Sequence, residues 1–186
     1  MNRYIKSYNQ AIEEKLCKEL INFFENNHDN HFWGMIQQNT INLKKKKVRE
    51  LVLVPDNDVS YNLLLNLQKS LIIYLKKYQD KNEMINIPLI PTQFRIKKYD
   101  SDGESKFDWH IDASQISRSK RMLVAIWYLN TVNVGGETEF EGPNCKIKPA
   151  QGKIALFPPF WTFKHRGNPP ISNPKYTVST FLEMAH

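Results

Sequence analysis

From Pro88 onward the chain falls into short runs of strand character separated by turn residues: TQFRIKKY, SKFDWHID, KRMLVAIWYLN, TEFEG, CKIKP, GKIALFP and KYTVSTFLEM. Runs this short and this regularly spaced leave no room for helices, and they predict an all-β sandwich or barrel. One of them, Met122–Leu129, is apolar at odd and even positions alike. Side chains alternate between the two faces of a strand, so both faces of this one need cover, which puts it in the middle of the core.

The first half of the sequence has a different period. Between Asn9 and Asn26, Ile12, Leu16, Leu20, Ile21, Phe23 and Phe24 recur at spacings of three and four, with Glu13 and Glu14 early. This predicts an amphipathic helix with acidic residues near its positive end. A second helix is expected from about Asp58 to Tyr78, striped by Val59, Leu63, Leu64, Leu67, Leu71, Ile72 and Leu75. Asp58 is its expected cap, and Pro55 ends the segment before it. Between the helices VRELVLV, Val48–Val54, alternates like a strand whose pairing partner the sequence does not give.

The expected fold is therefore mainly β with N-terminal helices (α+β), a double-stranded β-helix or jelly roll with helices covering one sheet. With 186 residues and no linker or internal repeat, one domain is expected over 1–186: helical support over about 1–88 and a catalytic core over about 89–186.

Composition narrows the partners. A chain 41% hydrophobic and 24% charged buries enough to fold. The net charge of +7 is compatible with an anionic partner, but the lysines are spread along the chain, and nucleic acid is not favoured. The densest run, Lys44–Lys47, reads as a phosphate-contacting loop or, more plainly, as the solvated edge of a strand. Cys17 and Cys145 have no repeated spacing that would form a zinc site or a disulfide framework, which points to a reduced compartment. The N-terminal residues lack an apolar signal core and no stretch is apolar enough for a membrane span, so the expectation is a soluble cytoplasmic protein with no membrane contact.

Chemistry concentrates in HID. His110 and Asp112 are two apart in a strand-like run, and a period of two puts both side chains on one face. His165 follows GKIALFP, where chain return brings it alongside. Two imidazoles and one carboxylate on one face of an octahedral ion form the facial triad of non-haem iron(II) oxygenases, with three positions left for a chelating co-substrate and dioxygen. An HxD pair alone is also what a surface presents by chance. His28, His31 and His186 are expected at the surface and left out of the site.

Read together, FDWHID, RMLVAIWYLN, GGETEF, ALFPPFWTFKHRG and KYTVSTFLE, in that order, resemble the prolyl 4-hydroxylase branch of the 2-oxoglutarate/Fe(II)-dependent dioxygenases. The likeness covers Gln93–Glu183, and the leading helix, strand and helix are similar too. It implies iron(II), 2-oxoglutarate and O2, with ascorbate as a further candidate. It implies hydroxylation of an unactivated C–H, foremost in a prolyl residue of a protein or peptide, with succinate and CO2 released.

Residue by residue, the resemblance implies that Lys175, ten after the distal His165, pairs with the far carboxylate of 2-oxoglutarate. Tyr99 and Tyr128, on strands flanking the metal strand, are implied to reach the same co-substrate. Thr177, on the face of Lys175, is a candidate donor. Arg121, Phe181 and Trp109 are candidates for contact with the substrate. Phe181 stands where the family often has a tryptophan, so those contacts are expected to differ. Gly135 and Gly136 are expected to serve a tight chain reversal. Three other readings stay open: a hydroxylase of a free amino acid or small metabolite, a non-catalytic jelly-roll binding module, and a nucleic-acid dealkylase. The last looks for a pair of arginines after the distal histidine, where this chain has Lys175.

Overall fold

A computed structural model describes residues 2–36, 40–83, 88–142 and 144–185. Twelve strands and two α-helices follow one another: β1 Lys6–Tyr8, α1 Glu14–Asn26, β2 Phe32–Trp33, β3 Arg49–Val52, α2 Asp58–Asn82, β4 Leu89–Pro91, β5 Arg95–Tyr99, β6 Phe107–His110, β7 Arg121–Tyr128, β8 Thr138–Phe140, β9 Cys145–Ile147, β10 Lys153–Phe157, β11 His165–Gly167 and β12 Lys175–Met184. The larger sheet runs β1-β10-β7-β12-β5-β3-β2, with β4 also on β12, and the smaller runs β6-β11-β8-β9. Every pairing within them is antiparallel. From β5 on, the chain passes repeatedly between the sheets: β5, β7, β10 and β12 are in the larger and the rest in the smaller.

The expectation for Met122–Leu129 holds. Leu123, Ala125 and Trp127 of β7 join Ile96, Ile154, Leu156, Val178 and Leu182 on the outer face of the larger sheet. Helices α1 and α2 lie on that face, α1 with Cys17, Leu20 and Phe24 and α2 with Leu63, Leu67 and Leu71, one stripe at helical spacing on each. Each large apolar side chain buried here contributes roughly 1.5–3 kcal/mol. Val124 and Tyr128 point the other way, into a second cluster between the sheets with Phe140, Ile147, Ala155 and Phe157. A polar link fixes the helix layer: Trp127 Nε1 donates to Ser70 Oγ at 3.1 Å, and Ser70 Oγ donates to the Ala11 carbonyl at 2.9 Å.

Element limits differ from the sequence expectation for local reasons. Helix α1 starts at Glu14 rather than Asn9, because the Ala11 and Ile12 N–H groups both point to the Gly152 carbonyl. Helix α2 is capped by Asn57, not Asp58. The Asn57 side chain accepts from Ser60 N at 3.0 Å while Ser60 Oγ accepts from Asn57 N at 3.2 Å, a reciprocal capping box. The helix continues to Asn82, past Tyr78, whose hydroxyl donates to the Tyr4 carbonyl at 2.8 Å. Strand β3 is shorter than Val48–Val54 and pairs with β2 and β5. Strands β1, β2, β4 and β11 are too short to leave a pattern.

The basic run is not one solvated edge. Lys44 and Lys45 are exposed, but Lys46 is buried against Glu50, and Lys47 reaches Asp102 and Glu104. His28 is exposed, whereas His31 is half-buried and stacks on Phe24 at 3.8 Å, contrary to expectation. His186 lies outside the described residues. Among the described residues, no helix is long and apolar enough to cross a membrane.

Candidate active site

Strand β11 is what joins the site. It pairs with β6 so that the Cα atoms of His165 and His110 are partners, and the two imidazole centroids lie 4.2 Å apart. Asp112 was expected on the strand with His110. Strand β6 instead ends at His110, and Asp112 sits in the following turn, where Ala113 N donates to the Pro159 carbonyl and an Arg121 Nη donates to the Asp112 carbonyl. The carboxylate still reaches the imidazoles: Oδ1 is 3.6 Å from His110 Nε2 and Oδ2 is 3.3 Å from His165 Nε2. One ligand atom from each residue lies within 4.8 Å of the others.

Both imidazoles are oriented for a metal. His110 Nδ1 lies 2.8 Å from the Asp108 carbonyl, and His165 Nδ1 lies 3.0 Å from the Phe163 carbonyl. A carbonyl accepts only, so each Nδ1 carries a proton, which leaves Nε2 of each ring, on the Asp112 side, as the atom that can take a metal. Burial, reinforced by neighbouring His165, pushes the pKa of His110 down to about 3 and keeps the ring neutral. Burial opposes the Asp112 charge, but His165 and His110 beside it outweigh that and hold its pKa below the usual carboxylate range. Phe107 stacks on the His110 ring at 3.4 Å, and Phe157 meets His165 edge-on at 4.8 Å. Two imidazoles, one carboxylate and an open side are the donor set that suits non-haem iron(II).

The same cavity is lined by Lys175, Tyr99 and Thr177. Lys175 is 2% exposed and has no ion pair among the described residues. Its ammonium donates to the Gly136 carbonyl at 2.9 Å and lies 3.9 Å from the centroid of the Tyr99 ring. Burial pushes its pKa down to about 7, with Glu137 acting in the opposite direction. A buried cation with one neutral acceptor and open space beside it is matched by an anion that arrives from outside. Gly136, at φ 76°, keeps the turn before β8 close enough to offer that carbonyl.

Other expected residues are placed differently. Tyr99 and Tyr128 do not flank the metal strand: β5 and β7 belong to the larger sheet, on either side of β12, and face β6 from across the cavity. Tyr128 does not line the cavity. Its hydroxyl meets Thr138 Oγ1 at 2.7 Å, and Thr138 does line it. Trp109 does not line it either, because the alternation that turns His110 inward turns Trp109 outward, with Arg166 4.6 Å and Lys164 5.7 Å from its ring. Arg121 and Phe181 stand together in the cleft outside, with the guanidinium 3.5 Å from the ring centroid.

The sequence reading missed Gly167, Thr138 and Lys97, all on the cavity wall. A Cβ on Gly167 would lie in van der Waals contact with the Tyr99 hydroxyl at 3.4 Å and Lys175 Nζ at 3.6 Å, so a side chain there would take up part of that corner. Its position two after His165 is the signal that would have found it.

Residues 94–183 match the model of the 2OG-Fe(II) oxygenase superfamily. No curated protein sequence matches the chain. Among solved structures it resembles the viral collagen prolyl hydroxylase of Paramecium Bursaria Chlorella virus-1, at TM-score 0.74 and 18% identity over 98% of this chain and 97% of that one. It resembles the Trichoplax adhaerens prolyl hydroxylase, solved with a hypoxia inducible factor peptide, at 0.80 and 15% over 98% and 84%. The Pseudomonas putida prolyl-4-hydroxylase follows at 0.73 and 12% over 96% and 92%.

Proposed function

We propose that this chain, a 2-oxoglutarate- and iron(II)-dependent dioxygenase over residues 94–183, hydroxylates a prolyl residue of a protein or peptide. In this reading His110, Asp112 and His165 hold the iron and Lys175 holds the far carboxylate of 2-oxoglutarate. One observation carries it: the triad and a buried, ion-pair-free Lys175 line a single cavity. The two sheets are read as the halves of one jelly roll, in a single domain with its helical support over 1–88.

When bound, the iron and co-substrate would supply the oxidation: 2-oxoglutarate would lose CO2 and take one oxygen atom of O2 to become succinate, and the other atom would enter the C–H bond as hydroxyl. The protein's own work is placement. The carbonyls of Asp108 and Phe163 hold both rings so that Nε2 is aimed at the metal position. Lys175, with Thr177 on the same face of β12, orients the diacid from its far end. Tyr128 acts indirectly by fixing the Thr138 hydroxyl. Phe107, Phe140 and Phe157 pack around the imidazoles and keep water from that side. A peptide substrate is favoured because a cleft of about 620 Å³ opens beyond the cavity, roomy enough for a peptide. It is favoured too by the likeness to a hydroxylase solved with a peptide.

The test incubates anaerobically purified protein with iron(II), 2-oxoglutarate and proline-containing peptides, then admits oxygen. Succinate and a peptide heavier by one oxygen atom are expected. Absence of succinate with and without peptide would sink the reading. His110→Ala should abolish the visible absorption of the iron(II)–2-oxoglutarate complex and lower turnover by about 10³-fold or more. An unchanged band would reject the ligand assignment.

A further inference from the structure

The cleft outside the cavity has an unbalanced charge. Its walls carry Lys46, Arg95, Lys97, Arg118 and Arg121. One fully buried carboxylate, Glu50, serves three of them: Lys46 Nζ at 2.6 Å, Arg95 Nη1 at 3.3 Å and Lys97 Nζ at 3.9 Å. Burial opposes the Glu50 charge, yet Lys97, Lys46 and Arg95 outweigh it and hold its pKa down at about 2. Asp112, the other carboxylate on the wall, is engaged with the imidazoles.

Two arginines have donors to spare, Arg118 and also Arg121, although an Arg121 Nη donates to the Asp112 carbonyl and its guanidinium lies over Phe181. Arg121 Nε is buried without a hydrogen-bond acceptor, its closest carboxylate being Glu183 at 3.6 Å. Arg118 has no ion pair among the described residues. By contrast, on the smaller sheet and its flank several cations meet acids: Lys146 and Arg166 pair with Glu139, Lys164 with Glu141, and Lys47 with Asp102 and Glu104. Lys97 lies where cleft and cavity meet, since it lines both.

We propose that the substrate carries a carboxylate close to the carbon that reacts, and that Lys97, Arg118 and Arg121 receive it. This rests on the oxygenase reading and adds to it a charge class. An acidic residue beside the target in a peptide and the α-carboxylate of a free amino acid share this chemistry, and the test separates them.

Calorimetry on protein loaded with manganese(II), which does not turn over, and 2-oxoglutarate would compare two probe sets. One is three five-residue peptides, acetylated and amidated, with a central proline flanked by Glu, Gln or Lys. The other is L-proline against L-prolinamide. The proposal expects the carboxylate-bearing member of one pair to bind about tenfold tighter. A Glu-over-Gln margin identifies a peptide, and a proline-over-prolinamide margin a free amino acid. The margin should shrink as salt rises to about 0.5 M. It should vanish in Arg118→Gln and Lys97→Gln, with thermal unfolding checked in both.

Equal affinity within both pairs, no binding of any carboxylate-bearing probe, or a margin kept in both variants would overturn the proposal. Failure of manganese(II) and 2-oxoglutarate to bind, measured first in the same titration, would instead overturn the oxygenase reading.

Discussion

The two faces of the larger sheet are built on opposite principles. The outer face presents Ile96, Leu123, Ala125, Trp127, Ile154, Leu156, Val178 and Leu182 to the helices and is closed to water. The inner face of the same strands presents Lys97, Tyr99, Lys175, Thr177 and Ser179 to a cavity. On β12 the contrast runs residue by residue: Lys175, Thr177 and Ser179 point in while Val178 and Leu182 point out. One backbone thus carries an apolar surface that stabilises the fold and a polar one whose burial costs stability, and the first offsets the second.

Trp127→Ala would break the stabilising side most severely. It leaves a large cavity under the helices and removes the donor to Ser70 Oγ, so unfolding free energy should fall by about 3–5 kcal/mol, read by urea denaturation. A loss below about 1 kcal/mol would show that the helix layer is not what holds the sheet.

Lys175→Met sharpens the contrast, because its two effects have opposite signs. Affinity for 2-oxoglutarate should fall about 100-fold, since a charge-assisted contact inside a dry cavity is lost. Stability without co-substrate should rise by roughly 1–4 kcal/mol, as for other replacements of buried charge by apolar groups. The folded pKa of Lys175, about 7, lies below its ordinary 10.5. Between those values the unfolded chain binds the extra proton, so wild-type stability rises with pH across that window and is lowest below it. The stability gap between variant and wild type should therefore narrow from pH 7 to pH 10, measured as the difference in unfolding midpoints. A gap independent of pH would contradict the buried cation.

Asn57→Ala, far from either face, removes one half of the cap on α2 and should lower stability by about 1 kcal/mol with no change in 2-oxoglutarate affinity. A change in that affinity would mean that the helix layer and the cavity are coupled.

What the sequence revealed divides along the same line. The outer face was legible, because a stripe of Leu63, Leu67 and Leu71 and the unbroken apolar run of β7 are local patterns. His110, Asp112, His165 and Lys175 were legible as a motif series, and the structure brings all four to one cavity. Trp109, a candidate for substrate contact, lies on the face opposite His110, as alternation along the strand requires. Tyr99 and Tyr128 were assigned beside the metal strand because sequence order does not say which sheet a strand joins. The cationic cleft was invisible, since Lys46, Glu50, Arg95, Lys97, Arg118 and Arg121 come from distant segments that only pairing of β3 with β5 and the approach of β7 bring together.

The outermost strands have a consequence for how copies of this chain meet. The larger sheet ends on β1 and β2, three and two residues long, and the smaller on β6 and β9, four and three. Edges this brief offer few unpaired backbone groups in a row, so a neighbouring copy finds no template for adding a strand. The twelve strands of the described residues, with the three-residue β4 as a further short rim beside β12, thus expose little backbone for fibril-like growth.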